Sequence, residues 1–518
     1  MVILDGWGVA PDSEGNAITR ANLPNYSKFL KNYPAMTLFA SGNEVGLPFG
    51  QMGNSEVGHL NIGAGRVYYQ TFPRINQAIA DKSFFTNPAF LLAAEKVRTN
   101  KSKLHLIGLL GNGNIHASSE HLWALLEFCK QQKISKDVFV HGILDGRDTL
   151  YNSGKFFVEE LLKKTSDLKV GQLATLSGRY FAMDRDNHYD RTQKAFAAMV
   201  SGQAERSGED PLEIIEAAYA KENFDEAFIP AVITKKGKPV ATIDAGDAVI
   251  FFNFRPDRMR QIVKAFVLPG FEKFARPFGQ DILAITMTEF EKELPVVVAY
   301  PPVVVRNCLA EVISKAGLKQ LHLAETTKYA HITYFLNGTI DEPFPGEERL
   351  LVPSLKVASF ETAPEMSAQE ITKAAIRAID DKKFDFLAIN YANADMVGHS
   401  GNFEATREGA ETIDKGLGEV VDHTLARGGA VVITADHGNA EEVINLQTGQ
   451  IDKEHSTNPV PLIVISQDLM GQAGPAGDPP EGDLSLFQPV GMLADVAPTV
   501  LKLLDIEKPE EMTGQALI

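Results

Sequence analysis

A chain of 518 residues, 44% hydrophobic and 23% charged, is long enough for two or three soluble domains with a large core. Its net charge of −17 repels nucleic acid and anionic membranes, and no run approaches the roughly 20 apolar residues that cross a bilayer. Any anionic ligand must therefore be drawn by a local basic cluster.

In chain order, Val2-Ile3-Leu4 reads as a buried strand ending in Asp5-Gly6. Next comes Gly50-Gln51-Met52-Gly53-Asn54-Ser55-Glu56-Val57-Gly58-His59. Ser55 there is either a helix N-cap or a hydroxyl at an anion-favouring helix start. A boundary is expected near 67–73.

Four strands follow, over 103–110, 137–144, 170–175 and 247–252, each running into polar residues. The first leads to His116 and the second to Asp145-Gly146-Arg147-Asp148. The third leads to Ser177-Gly178-Arg179, with Arg185 beyond, and the fourth to Asn253-Phe254-Arg255-Pro256-Asp257-Arg258. Five arginines at strand ends of an acidic protein point to a pocket for a small acid carrying phosphate, because the planar guanidinium matches both groups. Single surface arginines would explain Arg185 or Arg258 alone, but not all five.

Pro301-Pro302 marks a second boundary. Beyond it, Ser367-Ala368-Gln369-Glu370 has the form of a capping box opening a helix, and the strand 384–390 runs into Asp395 and His399. A further helix carries Ala410, Ile413, Leu417, Val421 and Leu425 on one face. Ala430-Val431-Val432-Ile433 then leads to Thr434-Ala435-Asp436-His437-Gly438-Asn439, with His455 downstream.

Carboxylates and histidines recurring at strand ends suit one or two divalent ions, a common arrangement for phosphoryl chemistry, and the lack of cysteine there disfavours structural zinc. Cys129 and Cys308 read as buried thiols of a reducing, cytoplasmic setting. The amino terminus lacks a signal-peptide layout. If Asp5 and Asp436 share a site, the chain ends form one α/β domain (1–70 and 302–518) with a second α/β domain (71–301) inserted into it.

With these motifs assembled, the chain resembles the cofactor-independent phosphoglycerate mutases of the alkaline phosphatase-like superfamily. The match runs from Ile3-Leu4-Asp5-Gly6-Trp7-Gly8 through Lys328-Tyr329-Ala330-His331 to Met512-Thr513-Gly514. The resemblance implies an alkaline phosphatase-like α/β/α domain and two Mn²⁺ ions, one held by Asp395, His399 and His455, the other by Asp5, Ser55, Asp436 and His437. It implies phosphoryl transfer through Ser55, between 3-phosphoglycerate and 2-phosphoglycerate, with no bisphosphoglycerate. His116, Arg147, Asp148, Arg179, Arg185, Arg255, Arg258 and Lys328 are expected to bind substrate. His116 and Asp148 would handle protons, and Lys328 would offset charge. A cytoplasmic monomer is expected. Ser118 and Thr327 stand where the family has histidine and glutamate, and the latter exchange leads us to expect a less firmly oriented Lys328. The alternatives are a metal-dependent phosphatase or another phosphomutase of the superfamily, and a catalytically silent binding protein.

Overall fold

Val2–Leu4 is only three residues long, yet it sits in the middle of an eight-stranded sheet, paired in parallel with Phe386–Tyr391 on one side and Val431–Thr434 on the other. Its three side chains are fully buried, each worth ~1.5–3 kcal/mol of burial, and this anchors Asp5 at the strand's carboxyl end. The computed structural model describes residues 1–276, 281–445 and 448–518. The chain falls into two compact units, Met1–Pro73 with Val303–Ile518, and Arg74–Pro302.

In the first unit the strand order is Glu347–Val352, Gln320–Glu325, Phe386–Tyr391, Val2–Leu4, Val431–Thr434, Val460–Ile465, Ala35–Phe39 and Gly491–Met492. Only Val460–Ile465 runs against its neighbours. The carboxyl ends of the parallel strands therefore lie along one edge, where sheets of this kind present loops to ligands. Helices Ala368–Asp380 and Phe403–Ala426 pack on each other. The second presents Ala410, Ile413, Leu417 and Val421 to the core, as its spacing predicts, with Leu425 packed at the margin.

Two local expectations are corrected. Ser367 does not form a capping box: its hydroxyl donates to the Pro353 carbonyl at 2.9 Å, and no side-chain cap bond is made. Nor does Ser55 cap its helix. The cap is Asn54, whose side chain accepts from the Val57 N–H at 3.0 Å, so Ser55 is the first residue of Ser55–Ala64 and its hydroxyl is free for other work.

Among the described residues, the second unit has nine strands. Val297–Val298, Leu283–Thr286, Ala248–Phe251, Leu104–Leu110, Val138–Leu144 and Gln172–Gly178 run parallel in that order. The last extends through Ser177-Gly178, further than its apolar run suggests, and delivers Arg179 directly. His105 and His141 are buried in the two central strands by a proton chain with one consistent direction. Asp247 Oδ2 lies 3.2 Å from His105 Nε2 and so takes its proton. His105 Nδ1 then accepts from His141 Nε2 at 2.9 Å, and His141 Nδ1 accepts from the Thr175 hydroxyl at 2.9 Å. Burial holds both imidazoles below their usual pKa, so neither carries an uncompensated charge in the core. Cys129 and Cys308 are free and buried. Among the described residues no helix is long and apolar enough to cross a membrane.

Candidate metal and phosphoryl-transfer site

Most groups expected at the metal site stand just beyond a strand of the first unit or at a helix start; His399 and His455 do not. Asp5 follows Val2–Leu4, and Asp436 and His437 follow Val431–Thr434. Lys328 closes the turn Thr326–Lys328 after Gln320–Glu325. Asp395 lies in the short helix Asn393–Gly398, and His399 caps it one turn later. His455 precedes Val460–Ile465.

These groups converge. Lys328 Nζ donates to Asp5 Oδ1 at 2.5 Å, Asp395 Oδ2 at 2.6 Å and Ser55 Oγ at 2.8 Å. Ser55 Oγ also lies 3.2 Å from Asp5 Oδ1 and 3.0 Å from His437 Nε2. His437 Nε2 is in turn 3.5 Å from Asp5 Oδ1 and 3.6 Å from Asp436 Oδ2. Burial alone would push the Asp5 and Asp395 carboxyls up, but the Lys328 ammonium and neighbouring histidines outweigh it and hold both well below the carboxylate range. Burial likewise opposes charge on His437, yet Asp436, Asp5 and Asp395 raise it to about 10.

Beside them, His399 Nε2 and His455 Nε2 each lie 3.2 Å from Asp395 Oδ1, and 3.0 Å from one another. His399 Nδ1 faces the Lys453 carbonyl at 2.7 Å, and His455 Nδ1 faces the Gly53 carbonyl at 2.8 Å. A carbonyl only accepts, so each neutral imidazole carries its proton on Nδ1. Each Nε2 then meets an Asp395 oxygen that raises the His399 pKa, a demand for positive charge at Nε2 that a proton or a metal cation satisfies. Asp436 Oδ2 is a second sign of the same demand. It is buried without a hydrogen bond, because its neighbour His59 Nδ1, at 3.1 Å, is already directed to the Ser55 carbonyl at 2.9 Å. Oxygen and imidazole donors in this arrangement fit divalent ions. Asp395, His399 and His455 form one group close enough to share an ion, and Asp5 belongs to two more, with Asp395 and His437 and with His59 and Asp436.

In the second unit the strand-end arginines also gather. Arg179 is buried, and its Nη1 donates to Asp145 Oδ1 at 2.5 Å and Asp148 Oδ2 at 2.7 Å. Asp257 joins two more, accepting from Arg185 Nη1 at 2.7 Å and Arg255 Nε at 3.0 Å. His116 stands between the carboxylates, 3.8 Å from Asp148 Oδ2 and 3.7 Å from Asp257 Oδ1. Burial, then the Arg179 guanidinium, push its pKa down to about 4 against those carboxylates, so it is a neutral imidazole near pH 7. Arg258 is lowered by burial and by the nearby charges of Arg185, Arg179 and Arg147. Arg147, Arg179 and Arg258 line a cavity of about 120 Å³.

A family model described as the BPG-independent PGAM N-terminus matches residues 75–292. The chain is 48% identical over 520 residues to the 2,3-bisphosphoglycerate-independent phosphoglycerate mutase of Acetivibrio thermocellus, covering 100% of this chain and 98% of that relative. The chain belongs to the 2,3-bisphosphoglycerate-independent phosphoglycerate mutase family. A second mutase of this family, from Chloroflexus aggregans, is 48% identical over 540 residues with the same coverage. The crystal structure of Leishmania mexicana phosphoglycerate mutase at low cobalt concentration aligns with a TM-score of 0.54 at 29% identity, over 100% of this chain and 97% of that one.

Within this mutase family fold, three buried residues were given no role by the sequence, although His59 and Asn439 lie in its motifs. His59 lies one helical turn after Ser55, a spacing that puts both on one face. Asn390 Nδ2 donates to Asp5 Oδ2 at 2.9 Å and lies 3.0 Å from His59 Nε2. Asn439 Nδ2 donates to Asp395 Oδ1 at 3.0 Å. The i, i+4 relation of Ser55 and His59 was a legible signal; the two asparagines gave none. Thr327 does not leave Lys328 loose, because Asp5, Asp395 and Ser55 already take its three donors.

Proposed function

We propose that this enzyme interconverts 3-phosphoglycerate and 2-phosphoglycerate without bisphosphoglycerate, through a phosphoserine at Ser55. One observation carries the reading: the buried Ser55 Oγ stands 2.8 Å from Lys328 Nζ and 3.0 Å from His437 Nε2, in a chain 48% identical to such mutases along its whole length.

Two divalent ions, Mn²⁺ by preference, would be held by Asp395, His399 and His455 and by Asp5, Ser55, Asp436 and His437, and supply charge neutralisation and a lowered pKa for the serine hydroxyl. The Ser55 hydroxyl gives up its proton as Oγ bonds to phosphorus and the bond to the 3-oxygen of glycerate breaks, and the departing oxygen takes up a proton. The 2-hydroxyl then gives up a proton and attacks phosphorus, the bond to Oγ breaks, and Oγ takes up a proton to regenerate Ser55. Lys328 offsets the charge of the transferring group. Arg147, Arg179, Arg185, Arg255 and Arg258 grip the acid, and His116 and Asp148 carry the hydroxyl protons. The enzyme acts as a cytoplasmic monomer on a free metabolite.

The test is to incubate metal-loaded protein with 3-phosphoglycerate, omitting bisphosphoglycerate, and to follow 2-phosphoglycerate and free phosphate by ³¹P NMR. The expected product is 2-phosphoglycerate. Mainly free phosphate would make the protein a phosphatase, and no turnover under several divalent ions would make it a silent binding protein.

A further inference from the structure

Glu441 belongs to neither ligand set, yet it is buried and touches the loops of both. Its Oε2 accepts from the Gly8 N–H at 3.0 Å and the Asn439 N–H at 2.8 Å. Its Oε1 accepts from the Ser456 hydroxyl and from Asn458 Nδ2, the latter at 3.0 Å. Each donor lies beside a proposed ligand. Gly8 is three residues past Asp5, Asn439 is two past His437, and Ser456 adjoins His455. Asn439 passes the connection on, since its side chain donates to Asp395. The loops close directly on the carboxylate: a Cβ at Gly8 or at Gly438 would overlap it.

We propose that Glu441 is a positioning residue that sets the spacing between the two sets of metal ligands, an inference that rests on the metal reading above. A plain structural cross-link would contribute to stability alone. A spacer shared by both sets would instead govern metal affinity, as residues hydrogen-bonded behind metal ligands do.

The two oxygens make the idea sharper. The partners of Oε2 are backbone N–H groups, which only donate. In Glu441→Gln the amide oxygen must therefore take the Oε2 place, leaving its NH₂ to meet the NH₂ of Asn458. The tie to Gly8 and Asn439 survives, while the tie to the His455 loop is weakened: Asn458 Nδ2 loses its acceptor, and the Ser456 hydroxyl must turn round to accept from the new NH₂. The ion of Asp395, His399 and His455 should suffer, and its neighbour should not.

The experiment is Mn²⁺ titration of the full chain, followed by electron paramagnetic resonance and calorimetry, with thermal melting in chelator as the control for folding. Wild type should take two ions. E441Q should bind one with wild-type affinity and the other roughly 10–100-fold more weakly, with metal-free melting little changed. Ser456→Ala, which removes one hydroxyl donor and is less of a folding risk, should weaken the same ion. Two ions of wild-type affinity in both variants overturn the inference, as does equal weakening of both ions in E441Q. A wild-type protein that takes fewer than two ions overturns the metal reading, and this inference with it.

Discussion

Lys328 Nζ stands 2.8 Å from Ser55 Oγ while pairing with Asp5 and Asp395, for both of which it is the strongest counter-charge, ahead of His437. Removing the ammonium leaves two buried carboxylates without their strongest counter-charge. Lys328→Met should destabilise the metal-free protein by ~3–5 kcal/mol, and Mn²⁺ should restore more stability to the variant than to wild type. Paired thermal melts in chelator and in Mn²⁺ read this directly. Identical melting of the two proteins in chelator would show that the pairing carries no such weight.

Ser55→Ala should abolish phosphoryl transfer while sparing the fold. Asn54 caps the helix, so the alanine replaces only the first helical residue, where the intrinsic cost is small. Asn54→Ala, by contrast, should cost ~1 kcal/mol through loss of the cap. Rapid-quench labelling with ³²P-phosphoglycerate checks the first claim: phosphoprotein formed by S55A would mean that another nucleophile operates.

Gly58 tests close packing against intrinsic propensity. In an exposed helix, glycine to alanine gains up to ~1 kcal/mol. Here a Cβ would press on the backbone carbonyl of Asp436 and come within 2.7 Å of that residue's Cβ. Gly58→Ala should therefore destabilise, by ~1–3 kcal/mol, and weaken metal binding by displacing Asp436. A G58A protein with raised melting temperature and unaltered Mn²⁺ affinity would contradict the packing argument.

Asp225 offers a pH signature in the second unit. Burial raises its carboxyl to about 6, although the Tyr219 hydroxyl and the Gly154 N–H donate to it. Because the folded value lies above the unfolded one, the associated stability is complete below about pH 4 and is lost as pH rises through about 6. The loss amounts to at most ~3 kcal/mol. Asp225→Asn cannot ionise and should lack this decline, so denaturant melts between pH 4 and 7 should show the variant's relative stability rising with pH. Parallel curves for the two proteins would exclude the effect.

Much of the site was legible because its chemistry is written at strand ends. Asp5, Asp395, Asp436-His437 and the five arginines each follow a short apolar run, and such runs are recognisable from local sequence alone. The assignment of Ser55 was half legible. Its small-residue surroundings announce a helix start, but whether Asn54 or Ser55 caps that helix turns on a one-residue difference in backbone angles. Ser367 misled for a related reason: a serine three residues before a glutamate fits a cap, but the neighbouring Pro353 carbonyl competes for its hydroxyl. Asn390, Asn439 and Glu441 were not legible, since a buried amide or carboxylate has no local pattern that separates it from a surface one.

The sequence by itself determined the element types, the family and the inventory of reactive side chains, because these depend on residue identity and on spacings of a few positions. Only the tertiary structure decided which atoms meet. Lys328 reaches Asp5 across 323 positions, and Gly8 reaches Glu441 across 433. Those meetings follow from strand order, with Val2–Leu4 inserted between Phe386–Tyr391 and Val431–Thr434. That order is set by burial of whole strands against one another, a property of the packed sheet that no short stretch of chain contains.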